Sequence, residues 1–154
     1  MDTLGVDIGG VIIDRVSEDG PDAPRIAVDG AFDAIRRLVA ARFGERVWLV
    51  SRTDEDAALV DWLDRSGFHR LTGVARDRVR FCRKRHEKAA ICADAGITHF
   101  VDDRLEVLGH LVGVVPHLYL LDSRAADVAR FREALPHVRR VAHWREIVRE
   151  LLPG

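Results

Sequence analysis

Asp7, Ser51, Lys88 and the pair Asp102-Asp103 are the residues of this chain whose types suit chemistry on a phosphate group. A carboxylate can act as a nucleophile or hold a hard cation that takes oxygen ligands. A hydroxyl and an ammonium can hold phosphate oxygens and offset the charge that develops on them. Their placement adds to their type. Asp7 closes the apolar run Leu4-Gly5-Val6, Ser51 closes Val47-Trp48-Leu49-Val50, and Asp102-Asp103 closes His99-Phe100-Val101. Of 24 lysines and arginines only Lys84 and Lys88 are lysine, and Lys88 stands near the start of the helix leading into the last of these runs. Each residue alone has an ordinary explanation: a turn after a strand for Asp7, a helix cap for Ser51 or Asp103, a solvated charge for Lys88. Only their conjunction points to function.

Those positions depend on the elements around them. Largely apolar runs of three to five residues are too short for helices and read as buried strands: 4–8, 47–50, 79–82, 99–101 and 117–121. Between them, helical spacing predicts a helix from Ala31 through Phe43, stopped by Gly44, and a second capped by Thr53 or Asp54 and stopped by Gly67. The apolar face of the second is assigned to Ala57, Ala58, Val60, Leu63 and Trp62. Further helices are predicted over 86–95, 125–134 and 143–152. Residues 15 to 29, with Gly20, Pro21 and Pro24, have loop composition. Strands alternating with helices imply βαβ units, hence one α/β domain over 1–154 with a mostly parallel central sheet of about five strands. In such sheets the ligand crevice lies beyond the carboxyl ends of the strands. Asp7, Ser51 and Asp102-Asp103 all fall there.

Bulk properties narrow the class. A 154-residue chain with 47% hydrophobic and 32% charged residues fits one globular domain. A formal net charge of −1 gives no overall bias toward nucleic acid or membrane. The first residues lack a basic segment and a long apolar one, so a cytoplasmic location is expected. Cys82 and Cys92 read as reduced interior thiols, and the seven histidines show no zinc spacing. Trp48 reads as strand core, Trp62 and Trp144 as helix packing.

Asp7-Ile8-Gly9-Gly10-Val11-Ile12 resembles the first motif of the haloacid dehalogenase (HAD) superfamily, Asp-x-Asp-Gly-Thr/Val-Leu/Ile, with Gly9 in place of the second Asp. Ser51 looks like the second motif, Lys88 like the third and Val101-Asp102-Asp103 like the fourth. The Asp-Asp-Arg ending and its upstream lysine are similar to those of HAD deoxyribonucleotidases. The resemblance implies a three-layer Rossmann-like fold and an Mg²⁺-dependent phosphohydrolase. Asp7 would be the nucleophile that forms an aspartyl-phosphate, and Lys88 would stabilise charge. Ser51, Arg52, Gly10 and the N–H groups of the helix after Ser51 would hold phosphate. Mg²⁺ would be held by Asp7, the Gly9 carbonyl and Asp103, with Asp102 in support.

Gly9 stands where these enzymes keep a general acid/base, a function worth roughly 10²–10⁴-fold in rate. Asp14 is the first substitute for it, ahead of Glu18, Asp19 and Asp22. Substrates whose leaving group needs little protonation, such as acyl or aryl phosphates, would lose least. The loss also motivates an alternative, a phosphate- or nucleotide-binding protein with weak or absent turnover.

Cap domains of this superfamily follow the first motif or the third strand. Neither place has room for one here, so the site is expected to be capless and open to a bulky substrate or closed by a second subunit. The implied partner is a phosphorylated small molecule, a nucleotide or a nucleic-acid end, with no membrane. The basic run Arg80 to His86 is the segment that would grip additional phosphates. Residues 5–10 also look like the start of actin-fold sugar kinases, which need two such domains, and of RNase H-like nucleases, which need an antiparallel hairpin directly after Asp7.

Overall fold

Side chains that alternate along a strand point to opposite faces of a sheet, and here they divide the interior into two cores. Val47 and Leu49, Val101, Tyr119 and Leu121 enter one, while Val50, Phe100, Leu118 and Leu120 enter the other. The computed structural model describes residues 1–15 and 24–153. Its strands are β1 (Leu4–Val6), β2 (Val47–Arg52), β3 (Val79–Cys82), β4 (His99–Asp102), β5 (His117–Leu121) and β6 (Arg139–Val141). They form one sheet in the order β3-β2-β1-β4-β5-β6, with each neighbouring pair parallel. Leu4 pairs in register with Val47 on one side and His99 on the other, so β1 is the spine of the sheet. The parallel partners of β1 exclude the RNase H-like alternative, which requires a hairpin at that point.

Helices α1 (Ala31–Leu38), α2 (Asp56–Arg65), α3 (Phe68–Thr72), α4 (Lys88–Ala95), α5 (Leu105–Leu111), α6 (Ala125–Arg130) and α7 (Trp144–Leu151) cover both faces. The first three and α7 close the larger core, and α4, α5 and α6 the smaller. This is the three-layer Rossmann-like architecture expected from the alternation. Among the described residues there is no cap domain, since α2, α3 and β3 use up the chain between Ser51 and Lys88. No helix there is long and apolar enough to cross a membrane.

Several elements differ from the sequence expectation for identifiable reasons. The sixth strand, β6, is an edge strand whose Arg139 and Arg140 are exposed, so only Val141 carries an apolar signal. Helix α2 starts at Asp56 because Thr53 Oγ1 accepts the Glu55 N–H at 2.9 Å in a turn, short of the helix. It buries Leu59, Trp62 and Leu63, which share a face at spacings of three and four, and leaves Val60 exposed. The short helix α3 sits between Gly67 and Gly73, both in left-handed conformation. Helix α6 ends at Arg130, and a 3₁₀ segment containing Pro136 follows. Trp48 is only half-buried, with the guanidinium groups of Arg78 and Arg80 each 4.7 Å from its ring.

Two contacts fix the loop after β1. Trp144, fully buried on α7, donates from Nε1 to the Val11 carbonyl at 2.8 Å. The Ile8 carbonyl accepts the N–H groups of Val11, Ile12 and Ile13, curling the loop back on itself. Trp144→Ala removes both the packing and the donor. It is expected to lower unfolding free energy in urea by about 3–5 kcal/mol, and a loss below about 1 kcal/mol would show that α7 does not anchor this loop.

Candidate active site

The connections from β1 run outward through β2 and β3, while those after β4 run the other way through β5 and β6. The carboxyl ends of β1 and β4 therefore flank the switch in strand order, where an open α/β sheet has its crevice. Asp7 follows β1, Asp102 ends β4, Asp103 comes next, and Ser51 lies near the end of β2. All four are buried.

Lys88, the first residue of α4, reaches into this cluster with a side chain that is 2% exposed. Its Nζ donates to Asp7 Oδ1 at 2.9 Å and to Asp102 Oδ2 at 3.1 Å. Nζ also lies over the Phe100 ring, 5.5 Å from its centroid. Phe100 in turn packs on β1 only because residue 5 is glycine, since a Cβ there would meet the ring at 2.6 Å. Burial alone would lower the Lys88 pKa, but the carboxylates of Asp102 and Asp7 outweigh it and hold the ammonium above its ordinary range. Burial raises the pKa of Asp7, opposed by Lys88 and reinforced by Asp103. Asp102 is raised further by burial and by the nearby Asp7 charge. The cluster thus holds more carboxylate than one ammonium neutralises.

Asp103 completes the cluster and is met by arginine. Its Oδ2 accepts from Arg124 at 3.1 Å and from Arg15 Nε at 3.4 Å, but its buried Oδ1 has no partner among the described residues. One oxygen from each of Asp7, Asp102 and Asp103 lies within 4.8 Å of the others. These hard oxygens, with an orphaned carboxylate oxygen among them, fit a divalent cation such as Mg²⁺. Asp102 is already satisfied, with Lys88 on Oδ2 and the Arg104 N–H on Oδ1 at 3.0 Å. That leaves Asp103 and Asp7 as the better ligands and Asp102 as support. Gly10 makes room for the arrangement: its φ is +79°, and a Cβ would overlap the Asp103 carboxylate. Gly9 differs, because a Cβ there would meet nothing within 4 Å. No hydrogen bond within the described residues engages its carbonyl.

Around this centre lies a cleft of about 400 Å³, lined by Asp7, Gly9, Gly10, Asp14, Ser51 and Lys88 among others. With the fold and the cluster defined, solved structures give a consistent match. The chain is similar to a D,D-heptose 1,7-bisphosphate phosphatase from B. bronchiseptica, complexed with magnesium and phosphate, at 18% identity and TM-score 0.70 over 99% of this chain and 98% of that one. A cobalt-bound deoxy-D-mannose-octulosonate 8-phosphate phosphatase from Haemophilus influenzae matches at 18% identity and TM-score 0.62, covering 99% and 87%. A protein assigned to the HAD family hydrolases, from Streptomyces avermitilis, matches at 16% identity and TM-score 0.58, covering 98% and 88%. The chain has the fold of the HAD-family phosphatases. No protein-family model matches the sequence, and no curated protein is significantly similar to it.

Within this HAD-like fold most of the sequence-derived residues converge. Asp7, Lys88, Asp102 and Asp103 touch or adjoin one another, and Ser51, Arg52 and Asp14 line the same cleft. Two assignments change. The Gly10 N–H is not free for phosphate, because it donates to the Ile13 carbonyl at 2.7 Å; the residue serves by leaving space for Asp103. The N–H groups of Thr53 and Glu55, which precede the helix after Ser51, are committed to the Cys82 carbonyl and to Thr53 Oγ1. Asp103 does not cap the following helix; Asp127 does, accepting from Leu105 N and Glu106 N at 2.5 and 3.2 Å. Glu18, Asp19 and Asp22 lie outside the described residues.

The basic run beside Lys88 splits by function. Arg80 lies over Trp48, and Arg83 is held by Asp56 and the Thr53 carbonyl. Arg85 alone of the run's arginines lines the cleft. Arg104, the last residue of the Asp-Asp-Arg ending, lines it too, as do Arg15, Arg25 and Arg124, which were not singled out by sequence. Arginines are scattered through this chain, so nothing in their spacing marked these three.

Asp103→Asn and Gly10→Ala are both expected to weaken Mg²⁺ binding at least about tenfold in titration calorimetry, one by removing charge and the other by crowding it. Gly9→Ala, with space for its methyl group, keeps the wild-type affinity. Equal affinities in all four proteins would remove the cation site.

Proposed function

We propose that this protein is a divalent-cation-dependent phosphohydrolase that works through an aspartyl-phosphate on Asp7. The observation that carries the reading is the buried Lys88 ammonium shared by Asp7 and Asp102, beside an Asp103 oxygen with no partner. The HAD-like fold and the phosphatases that share it support the same reading.

Lys88 holds Asp7 Oδ1, which orients the carboxylate and leaves Oδ2 to attack phosphorus. The bond to the leaving oxygen breaks as the Asp7–phosphorus bond forms, and water then cleaves the aspartyl-phosphate to return Asp7 and release phosphate. Ser51, buried beside the cleft, places a hydroxyl where it can hold a phosphate oxygen. Mg²⁺ held by Asp7, Asp103 and the Gly9 carbonyl would supply charge that offsets repulsion between the carboxylate and the phosphate. Lys88 stabilises the charge that accumulates on the transferring group.

The leaving oxygen needs a proton that Gly9 does not provide. Asp14 is exposed on the wall of the same cleft as Asp7, and it is the described carboxylate nearest in sequence that can take this task. The reading therefore favours substrates with good leaving groups, such as acyl or aryl phosphates. Gly9 also favours the second reading, a phosphate-binding protein that turns over slowly or not at all.

Aryl phosphate hydrolysis with and without Mg²⁺ tests both. Wild type is expected to turn over only with Mg²⁺, and Asp7→Asn to lose at least about 10³-fold. Equal rates in the two proteins would sink the hydrolase reading, and Mg²⁺-dependent phosphate binding without turnover would establish the second. Gly9→Asp, for which the backbone has room, is expected to raise alkyl phosphate hydrolysis by roughly 10²-fold or more, and aryl phosphate hydrolysis by less. Asp14→Asn is expected to slow alkyl more than aryl phosphates.

A further inference from the structure

The chain after β1 folds into a short antiparallel pair before it leaves the cleft. The Val28 N–H donates to the Ile12 carbonyl at 2.7 Å, the Asp14 N–H donates to the Ile26 carbonyl at 2.6 Å, and Ile13 bridges Ala27. Buried Ile12 and Ile13 fix the base of this pair, and Asp14 is the first exposed residue beyond them. Two paired strands are marginal by themselves, so the place of Asp14 depends on what holds the chain just past it.

Arg15, the next residue, reaches back over the carboxyl edge of the sheet. Its Nε donates to Asp103 Oδ2 at 3.4 Å, its Nη2 donates to the Asp122 carbonyl, and its Nη1 lies 3.7 Å from Asp122 Oδ2. Asp122 follows β5 and is the one non-glycine among the described residues with a left-handed backbone, at φ +47°. Side chains larger than glycine's hydrogen rarely take that conformation, and here it accompanies two acceptors on one arginine. The Asp122 N–H is bonded to the Val141 carbonyl at 2.9 Å, which pins this corner to β6. Two residues further on, Arg124 donates to the same Asp103 Oδ2 at 3.1 Å. The loop after β1 and the corner after β5 thus meet on one carboxylate oxygen, and Oδ1 is left for a cation. An isolated surface ion pair contributes little, but this fork engages partners 88 and 107 residues along the chain at once.

We propose that Arg15 is a positioning residue that ties the Asp14 segment to Asp103, so that the group serving the leaving oxygen and the group holding the cation are set in one geometry. This rests on the reading of Asp14 and Asp103 in the phosphohydrolase. Arg15 acts through these two carboxylates and has no need to touch the phosphoryl group. A cation on Asp103 Oδ1 stops the carboxylate from turning, which keeps Oδ2 on Arg15, and the hold reaches Asp14 through a single peptide unit. Lysine could not replace it, because a single ammonium on a flexible stem lacks the planar fork that spans Asp103 and Asp122.

Amide hydrogen exchange, read residue by residue by NMR on the full chain with and without Mg²⁺, tests the tie without turnover. In wild type the Asp14 and Val28 amides are expected to exchange at least about threefold more slowly when Mg²⁺ is saturating. In Arg15→Gln they are expected to exchange faster and to lose the response to Mg²⁺. The Leu4 amide, bonded to the Arg46 carbonyl at 2.9 Å at the opposite end of the sheet, reports that the variant is folded. Arg15→Lys, which keeps the charge without the fork, is expected to recover little of the response. No response in wild type, an equal response in Arg15→Gln, or full recovery by lysine overturns the positioning role. Turnover of the same samples adds a second reading: Arg15→Gln is expected to slow alkyl phosphate hydrolysis at least about fivefold more than aryl, and to change that ratio no further in an Asp14→Asn background. A ratio that Asp14→Asn alters and Arg15→Gln does not overturns it as well. An exchange response without turnover leaves the tie standing on a binding protein, and turnover without the response leaves the phosphohydrolase standing alone.

Discussion

The constraint on which the rest of this structure depends is the burial of three neighbouring carboxylates, two of them hydrogen-bonded to one ammonium. Burying charge is costly unless it is paired and fully hydrogen-bonded, and losing one partner of a buried pair typically costs about 3–5 kcal/mol. Lys88 meets part of that requirement by donating to both Asp7 and Asp102. Two arginines and a backbone N–H meet another part. Among the described residues two buried side-chain atoms remain without a partner, Asp103 Oδ1 and Arg124 Nε, and both lie at this cluster. Buried polar groups are nearly always hydrogen-bonded, so these two mark the place where the site can take a further partner.

The sheet makes that concentration of charge achievable. Parallel strands on either side of β1 bring the residues after β1 and at the end of β4 to the same edge. Reversal of strand order there opens a crevice, which Asp7 lines while Asp102 and Asp103 stay buried beside Asp7. The glycines around β1 make further space in opposite ways. Gly5 lets Phe100 lie under the Lys88 ammonium, Gly10 admits the Asp103 carboxylate, and Gly9 faces open space where a side chain would fit. The absence of a carboxyl group at position 9 is thus a chemical choice rather than a steric necessity.

A cleft so rich in arginine is consistent with a chain whose net charge is close to neutral. Opposite charges elsewhere cancel in the sum, while arginine is concentrated around the cleft, most of it paired with neighbouring carboxylates. Charge distribution, not charge total, is the property relevant to what binds here.

How much of this was legible in the sequence follows from the range of the forces involved. Short apolar runs closing on Asp7, Ser51 and Asp102-Asp103 report local conformation and burial, so the strands, their alternation with helices and the four-residue core of the site could be read in order along the chain. Strand β6 escaped because an exposed edge strand needs few apolar residues, and the buried face of α2 was misjudged at Val60 because neither helical spacing nor residue type says which side meets the core. The roles of Gly10, Arg15, Arg124 and Asp127 were decided only by tertiary structure. Each acts on a residue distant in the chain or around a tight turn, through a hydrogen bond or a close approach that exists only after the strands have assembled, and no local pattern encodes such a contact.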